Sequence, residues 1–462
     1  MTGALTPLPY HLEIAARLQS LEPRGWAVFV SAIRQEPATA AETVPAEGDI
    51  AGDDLEQQLL RHAYRMEPEA HPRVHTAARR AADALGLTVP ISIYQLESGE
   101  HANAALAFRR DEAVIGLSGN LLALLTDDEL VACLGHELAH HRLWTAEEGR
   151  VLVADRFLGA LTIDAATPPY YLETARRFDL ATELFADRGS LLATGSLEVT
   201  VASLVKVATG LTDVDPGAFL RQARDAHPER GAEGVSHPET VLRAWALERW
   251  QAGDGDAATD TLLAPALDIE RLDLVDRGRL ETLTRRLVDD ALAPDWMRTD
   301  AVAGHARQFL VDVTPGATVS RGWFGRGGTG RPADAAPETV GVRVPDDAPP
   351  ETRRYLSYVL LDLATVDADL ADEPLVECLA VAREAGFEST FEEVARKELG
   401  MNGRTWDAVR RRAMGRRHRA EVPDAPPAAI DSEEARESSA PAGPLEEPAV
   451  DPVNAPRTEL DL

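Results

Sequence analysis

Along most of this chain apolar residues return every third or fourth position, the period of helices buried on one face. Leu5 to Ile33 reads as one or two small helices, and 53–66 and 71–85 read as amphipathic helices. Thr126-Asp127-Asp128-Glu129, a capping residue followed by acids, opens a long helical segment with no Gly or Pro before Gly135. A second helical run spans Tyr170 to Thr194, and a third is expected over Pro238 to Trp250. Beyond it the chain is helical and acidic from Ala257 to about Val311, with Leu and Val at helical spacing in 267–292. Periodicity is strong again over Arg353 to Leu399, where Leu356, Val359, Leu360, Leu363, Leu375, Cys378, Leu379 and Val381 form apolar stripes.

Two stretches break the pattern. Gln35 to Asp54, with Pro37, Pro45, Gly48 and Gly52, reads as a linker. Thr314 to Pro350 is rich in Gly, Pro, Ala and Asp. Its Gly325, Gly327, Gly328 and Gly330 superficially resemble a phosphate-cradling loop, but no Gly-Lys-Ser/Thr ending and no strand pattern accompany them.

The chemistry is concentrated at Gly135-His136-Glu137-Leu138-Ala139-His140. At about 3.6 residues per turn, His136 and His140 lie one above the other, the spacing that suits two ligands of one Zn²⁺. Glu137 sits about 100° round the same turn, where its carboxylate can reach a water on the metal without being a ligand. A catalytic zinc needs a third protein ligand, and Tyr170 to Thr194 offers Asp179, Glu183 and Asp187 at four-residue intervals. In an arbitrary helix these acids would be read first as a solvated face paired with Arg176, Arg177 and Arg188; beside the His136 motif that reading gives way.

The composition narrows the setting. The chain has 462 residues, 44% of them hydrophobic, enough for two or three domains with real cores. Lys and Arg number 47 against 77 acids, a net charge of −30. That disfavours nucleic acid and anionic membrane surfaces as partners. The two cysteines, Cys133 and Cys378, are far apart, which fits a reducing compartment; Cys133, three residues before His136, is expected to be a buried small residue in preference to a metal-proximal thiol. Met1 to Ser20 shows no secretory leader pattern, and the longest apolar runs, such as Trp26 to Ile33, fall well short of the roughly 20 residues that cross a bilayer. The expected location is the cytoplasm. His62, His71, His75 and His101 lack metal spacing and are expected to be ordinary packing or surface residues.

His136-Glu137-x-x-His140 with Glu183-x-x-x-Asp187 on a later helix resembles the gluzincin metallopeptidases of the HtpX type, which include the CAAX prenyl endopeptidases. Three further pieces agree: Ala84 to Tyr94, then Asn103-Ala104, then Ala113 to Leu117 and the leucine-rich Leu121 to Leu125 occur in that family's order. Ser236 to Arg243 resembles its closing His-Pro segment, so the likeness covers roughly 53–250. It implies an α+β, mainly helical fold: a zincin-type catalytic domain with a small edge sheet and the His136 helix, followed by an all-helical C-terminal region. It further implies His136, His140 and Glu183 as ligands of one Zn²⁺ per chain, Glu137 as general base, and Asp187 as the carboxylate that orients a ligating histidine. Asn103 and Ala104 would lie on an edge strand that binds extended peptide. His237 would be a transition-state donor or an occluding ligand, although it equally suits a cap before the helix at 238–250. Familiar members are membrane-embedded or exported, unlike the expectation for this chain.

The expected organisation is 1–52 (helices and linker), 53–250 (metallopeptidase domain), 251–312 (helical region), 313–350 (Gly/Pro-rich linker), 351–400 (helical module), 401–420 (basic segment) and 421–462 (acidic tail). The acidic turn at 364–373 loosely resembles tellurite-resistance TerB-like domains; an EF-hand fits worse, with Asp372 and Cys378 where Gly and Glu belong. Arg404, Arg410, Arg411, Arg412, Arg416, Arg417 and Arg419 concentrate positive charge near Trp406, which the tail could neutralise. Two functions follow: a zinc endopeptidase acting on protein or peptide substrates, or a latent metalloprotein scaffold that acts through a protein partner of the C-terminal module or tail.

Overall fold

The computed structural model describes residues 5–35, 52–97, 101–226, 231–234, 237–263, 267–309 and 343–416. Apart from their ends, the linker at 35–54, the Gly-rich stretch and the acidic tail lie outside the described residues.

Helices α1 (Pro9–Leu21) and α2 (Pro23–Gln35) come first, each opened by a proline whose missing N–H costs nothing in a first turn. After α3 (Gly52–His62) the chain turns into a short strand, β1 (Ala63–Arg65), where the sequence pattern had predicted helix to Met66. The reason is long-range: Ala63, Tyr64 and Arg65 pair antiparallel with Leu96, Gln95 and Tyr94, a ladder invisible in local periodicity. Helix α4 (Pro72–Leu85) leads to β2 (Ile91–Leu96), β3 (Asn103–Arg109) and β4 (Glu112–Ser118). The sheet order is β1-β2-β4-β3, with β2 and β4 parallel and the other pairs antiparallel, so β3 is an edge.

Behind the sheet, α5 (Leu121–Leu124) precedes the central helix α6 (Asp127–Thr145). Thr126 and Glu129 cap it reciprocally: Thr126 N–H donates to Glu129 Oε2 at 2.8 Å and Glu129 N–H to Thr126 Oγ1 at 3.4 Å. Then follow α7 (Arg150–Ile163), α8 (Pro169–Thr194), α9 (Leu197–Thr209) and α10 (Pro216–Arg224). Lys206 of α9 reaches Glu129 at 2.9 Å, pinning the start of α6.

Helices α6 and α8 cross unusually closely because glycine stands at both contact points. A Cβ on Gly135 would lie 2.6 Å from the Ala193 Cβ, and one on Gly189 would lie 2.3 Å from the Ala139 Cβ. Ser190 Oγ donates across the crossing to the Ala132 carbonyl at 2.8 Å.

Helix α11 (Thr240–Ala252) starts two residues later than expected, with Glu239 and not His237 in the capping position. After α12 (Ala257–Leu263), α13 (Leu274–Ala291) runs from one hydrophobic core into another. Its Leu274 and Val275 belong to the core shared by α1, α4, the sheet, α6, α7 and α8. Its Leu287, Val288 and Ala291 belong to a second core with α14 (Asp300–Ala306), α15 (Pro350–Thr365), α16 (Glu373–Glu384), α17 (Glu388–Glu398) and α18 (Gly403–Met414). There Phe387, Phe391 and Trp406 are fully buried.

Most of the described part of the basic segment forms α18, capped by Asn402, and three of its arginines find acidic partners within the fold. Arg410 pairs with Glu392 at 2.9 Å, Arg412 with Glu373, and Arg416 with Glu373 and Glu377. Acids of α16 and α17 therefore offset part of its charge. Cys133 and Cys378 are buried free thiols, and burial pushes both pKa values well up.

Candidate metal centre and active site

The α6–α8 crossing brings the two predicted motifs face to face. His136 Nε2 lies 3.3 Å from His140 Nε2 and 3.4 Å from Glu183 Oε2, and His140 Nε2 lies 3.6 Å from Glu183 Oε1. One ligand atom from each of His136, His140 and Glu183 can be chosen within 4.8 Å of the others, the one such group among the described residues. Glu183 and Asp187 face α6 and are buried, whereas Asp179, at the same four-residue interval, is exposed.

The donor set fits a cation. His136 Nδ1 faces Asp187 Oδ1 at 3.2 Å, which makes Nδ1 the proton-bearing nitrogen and turns the Nε2 lone pair inward. Glu183 Oε2 is buried without a well-aligned hydrogen bond, its nearby donors being Arg243 Nη2 at 3.3 Å and His136 Nε2 at 3.4 Å. Two imidazoles and a carboxylate that converge on one point need a proton or a positive ion between them.

Protonation follows from the same contacts. Burial opposes charge on His136, yet the Asp187 and Glu183 carboxylates carry its pKa up to about 10. For His140, burial and then the neighbouring His136 charge bring the pKa down to about 4. Glu183 is held well below the usual carboxylate range, because His136 and Arg243 outweigh its burial. Glu137 moves the other way: burial pushes its carboxyl up to about 7, despite the His136 charge and a hydrogen bond from the Leu106 backbone.

That backbone contact ties Glu137 to β3. Because backbone groups of alternate strand residues point the same way, Ala104 shares the Leu106 side of the strand, towards the free edge. Asn103 and Ala104 open this strand, Asn103 exposed and Ala104 buried. His237 presents Nε2 to Glu183 Oε1 at 3.6 Å, with its side chain 59% exposed.

One residue central to the site had no role assigned from sequence. Arg243 of α11 is buried and grips Asp187 with both arms, Nε to Oδ2 at 2.8 Å and Nη2 to Oδ1 at 2.6 Å, while Nη2 also lies 3.3 Å from Glu183 Oε2. A charged residue set between Leu242 and Ala244 in an otherwise apolar stretch was the available signal. Trp144, one turn after His140, stacks on its ring at 5.5 Å, and this too was not foreseen.

Residues 68–146, from α4 through the His136 motif, match the model of Peptidase family M48. This stretch is thus similar to the M48 peptidases, in keeping with the resemblance its motifs carry. Among curated proteins it is similar to the plastoglobule-localized metallopeptidase 48, chloroplastic, of Arabidopsis thaliana, with 29% identity over 204 residues, covering 38% of this chain and 56% of the relative. The chain therefore spans about half the length of that relative. No solved structure matches it. Among the described residues no helix is long and apolar enough to cross a membrane.

Proposed function

We propose that the chain is a zinc-dependent endopeptidase that hydrolyses peptide bonds of protein substrates. The observation that carries this reading is the convergence of His136, His140 and Glu183 beside the buried carboxyl of Glu137. His136, His140 and Glu183 would hold the zinc, which when bound supplies Lewis acidity to the scissile carbonyl and to the attacking water. Glu137, with a pKa drawn towards neutrality, takes the proton from that water and passes it to the leaving nitrogen. Asp187, itself clamped by Arg243, holds the Nδ1 proton of His136 and so fixes the ring that ligates.

An extended substrate adds along the free edge of β3, beginning at Asn103 and Ala104, through main-chain hydrogen bonds that tolerate many sequences. This puts the scissile bond near Glu137, whose carboxylate already meets Leu106 of the same strand. His237, within 3.6 Å of Glu183, would donate to the oxygen that gains charge in the transition state. Two buried free cysteines suit a reducing, cytoplasmic setting.

The test is metal analysis and casein hydrolysis on purified wild type and Glu137→Gln. Zinc in both with hydrolysis only in wild type supports the peptidase. Zinc in both with no hydrolysis moves the reading to a latent scaffold, and absence of zinc removes the ligand assignment.

A further inference from the structure

Near the start of α8, two turns before Glu183, Arg176 reaches sideways out of the helix. Its guanidinium makes a bidentate pair with Glu173, Nε to Oε2 at 2.8 Å and Nη2 to Oε1 at 2.7 Å. The remaining arm, Nη1, donates to two backbone carbonyls, Gly234 at 3.0 Å and Ala232 at 3.2 Å. Both side chains are largely buried, 14% and 13% exposed, so this is not a solvated surface pair.

The turn it grips belongs to no helix or strand. Ala232 is buried and its N–H donates to the Leu262 carbonyl at 3.0 Å, while Glu233 N–H donates to Glu239 Oε1 at 3.1 Å. At Gly234 a Cβ would lie 1.8 Å from the His237 carbonyl oxygen, so the backbone here closes on itself as only glycine permits. Three residues on, His237 faces Glu183.

We propose that Arg176 is a positioning residue: by locking the turn at 231–234 onto α8, it holds His237 over the metal centre. The inference rests on the role given to His237 above. A planar fork can satisfy Glu173 and two carbonyls at once, whereas a lysine ammonium lacks that fixed geometry. Since Arg176 and Glu183 share one rigid helix, the turn is referenced to the ligand itself.

The experiment uses the full chain and four variants: Arg176→Gln, Arg176→Lys, His237→Ala and the double Arg176→Gln/His237→Ala. Zinc content, kcat and KM on an unstructured peptide, and amide hydrogen exchange of 231–239 are measured for each. Arg176→Gln keeps its zinc and KM, lowers kcat about tenfold, and speeds exchange at 231–234 about tenfold. Arg176→Lys, which keeps the charge, recovers part of the loss and guards against a variant that merely misfolds. His237→Ala lowers kcat about a hundredfold, and adding Arg176→Gln to it changes kcat no further. Additive losses in the double variant overturn the proposal, as does unchanged exchange in Arg176→Gln or wild-type turnover in His237→Ala. A wild type with no peptidase activity refutes the proposed function instead, and exchange at 231–234 then decides for or against Arg176.

Discussion

Replacing Gly189 by alanine tests whether the α6–α8 crossing sets the metal centre. The new Cβ would fall 2.3 Å from the Ala139 Cβ. Carbon atoms in contact sit about 3.5–4.0 Å apart, so the helices must part by roughly 1.5 Å at this point. His140 follows Ala139 directly and Asp187 is two residues before Gly189, so the separation acts on the site itself. The 3.2 Å contact between His136 and Asp187 cannot survive it as a hydrogen bond. Overpacking of this kind costs about 1–3 kcal/mol of stability, and loss of the orienting contact lowers zinc affinity about 10- to 100-fold. Competition titration against a chelating dye reads the affinity, and thermal melting reads the stability. The decisive control is Gly189→Ala with Ala139→Gly, which moves the methyl from one helix to the other with opposite propensity changes of about 1 kcal/mol that cancel. It restores affinity to within about threefold of wild type if the crossing distance is what matters. Gly189→Ala with wild-type affinity, or a double variant no tighter than the single, would refute the reasoning.

Further outcomes follow from the same geometry. Glu137→Gln retains zinc by metal analysis while peptide hydrolysis falls by about 10²- to 10⁴-fold. In metal-free protein the His136 pKa stands at about 10 against its ordinary 6.5, through Asp187 and Glu183 and against burial. A raised folded pKa gives stability that is complete below 6.5 and is lost as pH climbs towards 10, so metal-free melting temperature should decline across that window. Zinc must displace that proton, so affinity rises across the same window by at most about tenfold per pH unit, and Asp187→Asn flattens both slopes. Equal slopes in wild type and Asp187→Asn would contradict the role given to that carboxylate. Phe391→Ala, in the second core, costs about 3–5 kcal/mol by denaturant titration, with zinc stoichiometry unchanged where protein remains folded.

Much of the centre could be read from the chain because its signals are local. The Thr126–Glu129 capping box, the four-residue His136–His140 spacing and the uninterrupted run between them all act within one helix. The proposed third ligand was harder to read for a physical reason. Asp179, Glu183 and Asp187 share one period, and only the approach of α6 buries the last two and leaves the first in water. Ala63 to Arg65 was read as helix because its strand character comes from partners about thirty residues away. The arginines of α18 carried a charge signal whose acidic partners, Glu373, Glu377 and Glu392, lie on other helices. Arg243 belongs to the same class: its contacts are made at a distance of 56 residues, which no spacing rule reaches.

That distance matters for how the centre is balanced. Glu183 and Asp187 are both held ionised in a buried cluster, and Arg243 supplies one positive charge against two negative ones. Unbalanced buried charge is costly, so a further positive charge is required before the two helices can close. In metal-free protein the His136 proton supplies it, which accounts for a histidine titrating near 10 while its neighbour His140 titrates near 4. A divalent ion supplies it with one charge to spare, and the acid closest to hand is Glu137, whose carboxyl burial has brought to about 7. Ionised Glu137 is the form a general base needs. The same electrostatics that lets the metal-free cluster fold therefore favours, once an ion is held, the protonation state that the proposed role of Glu137 requires.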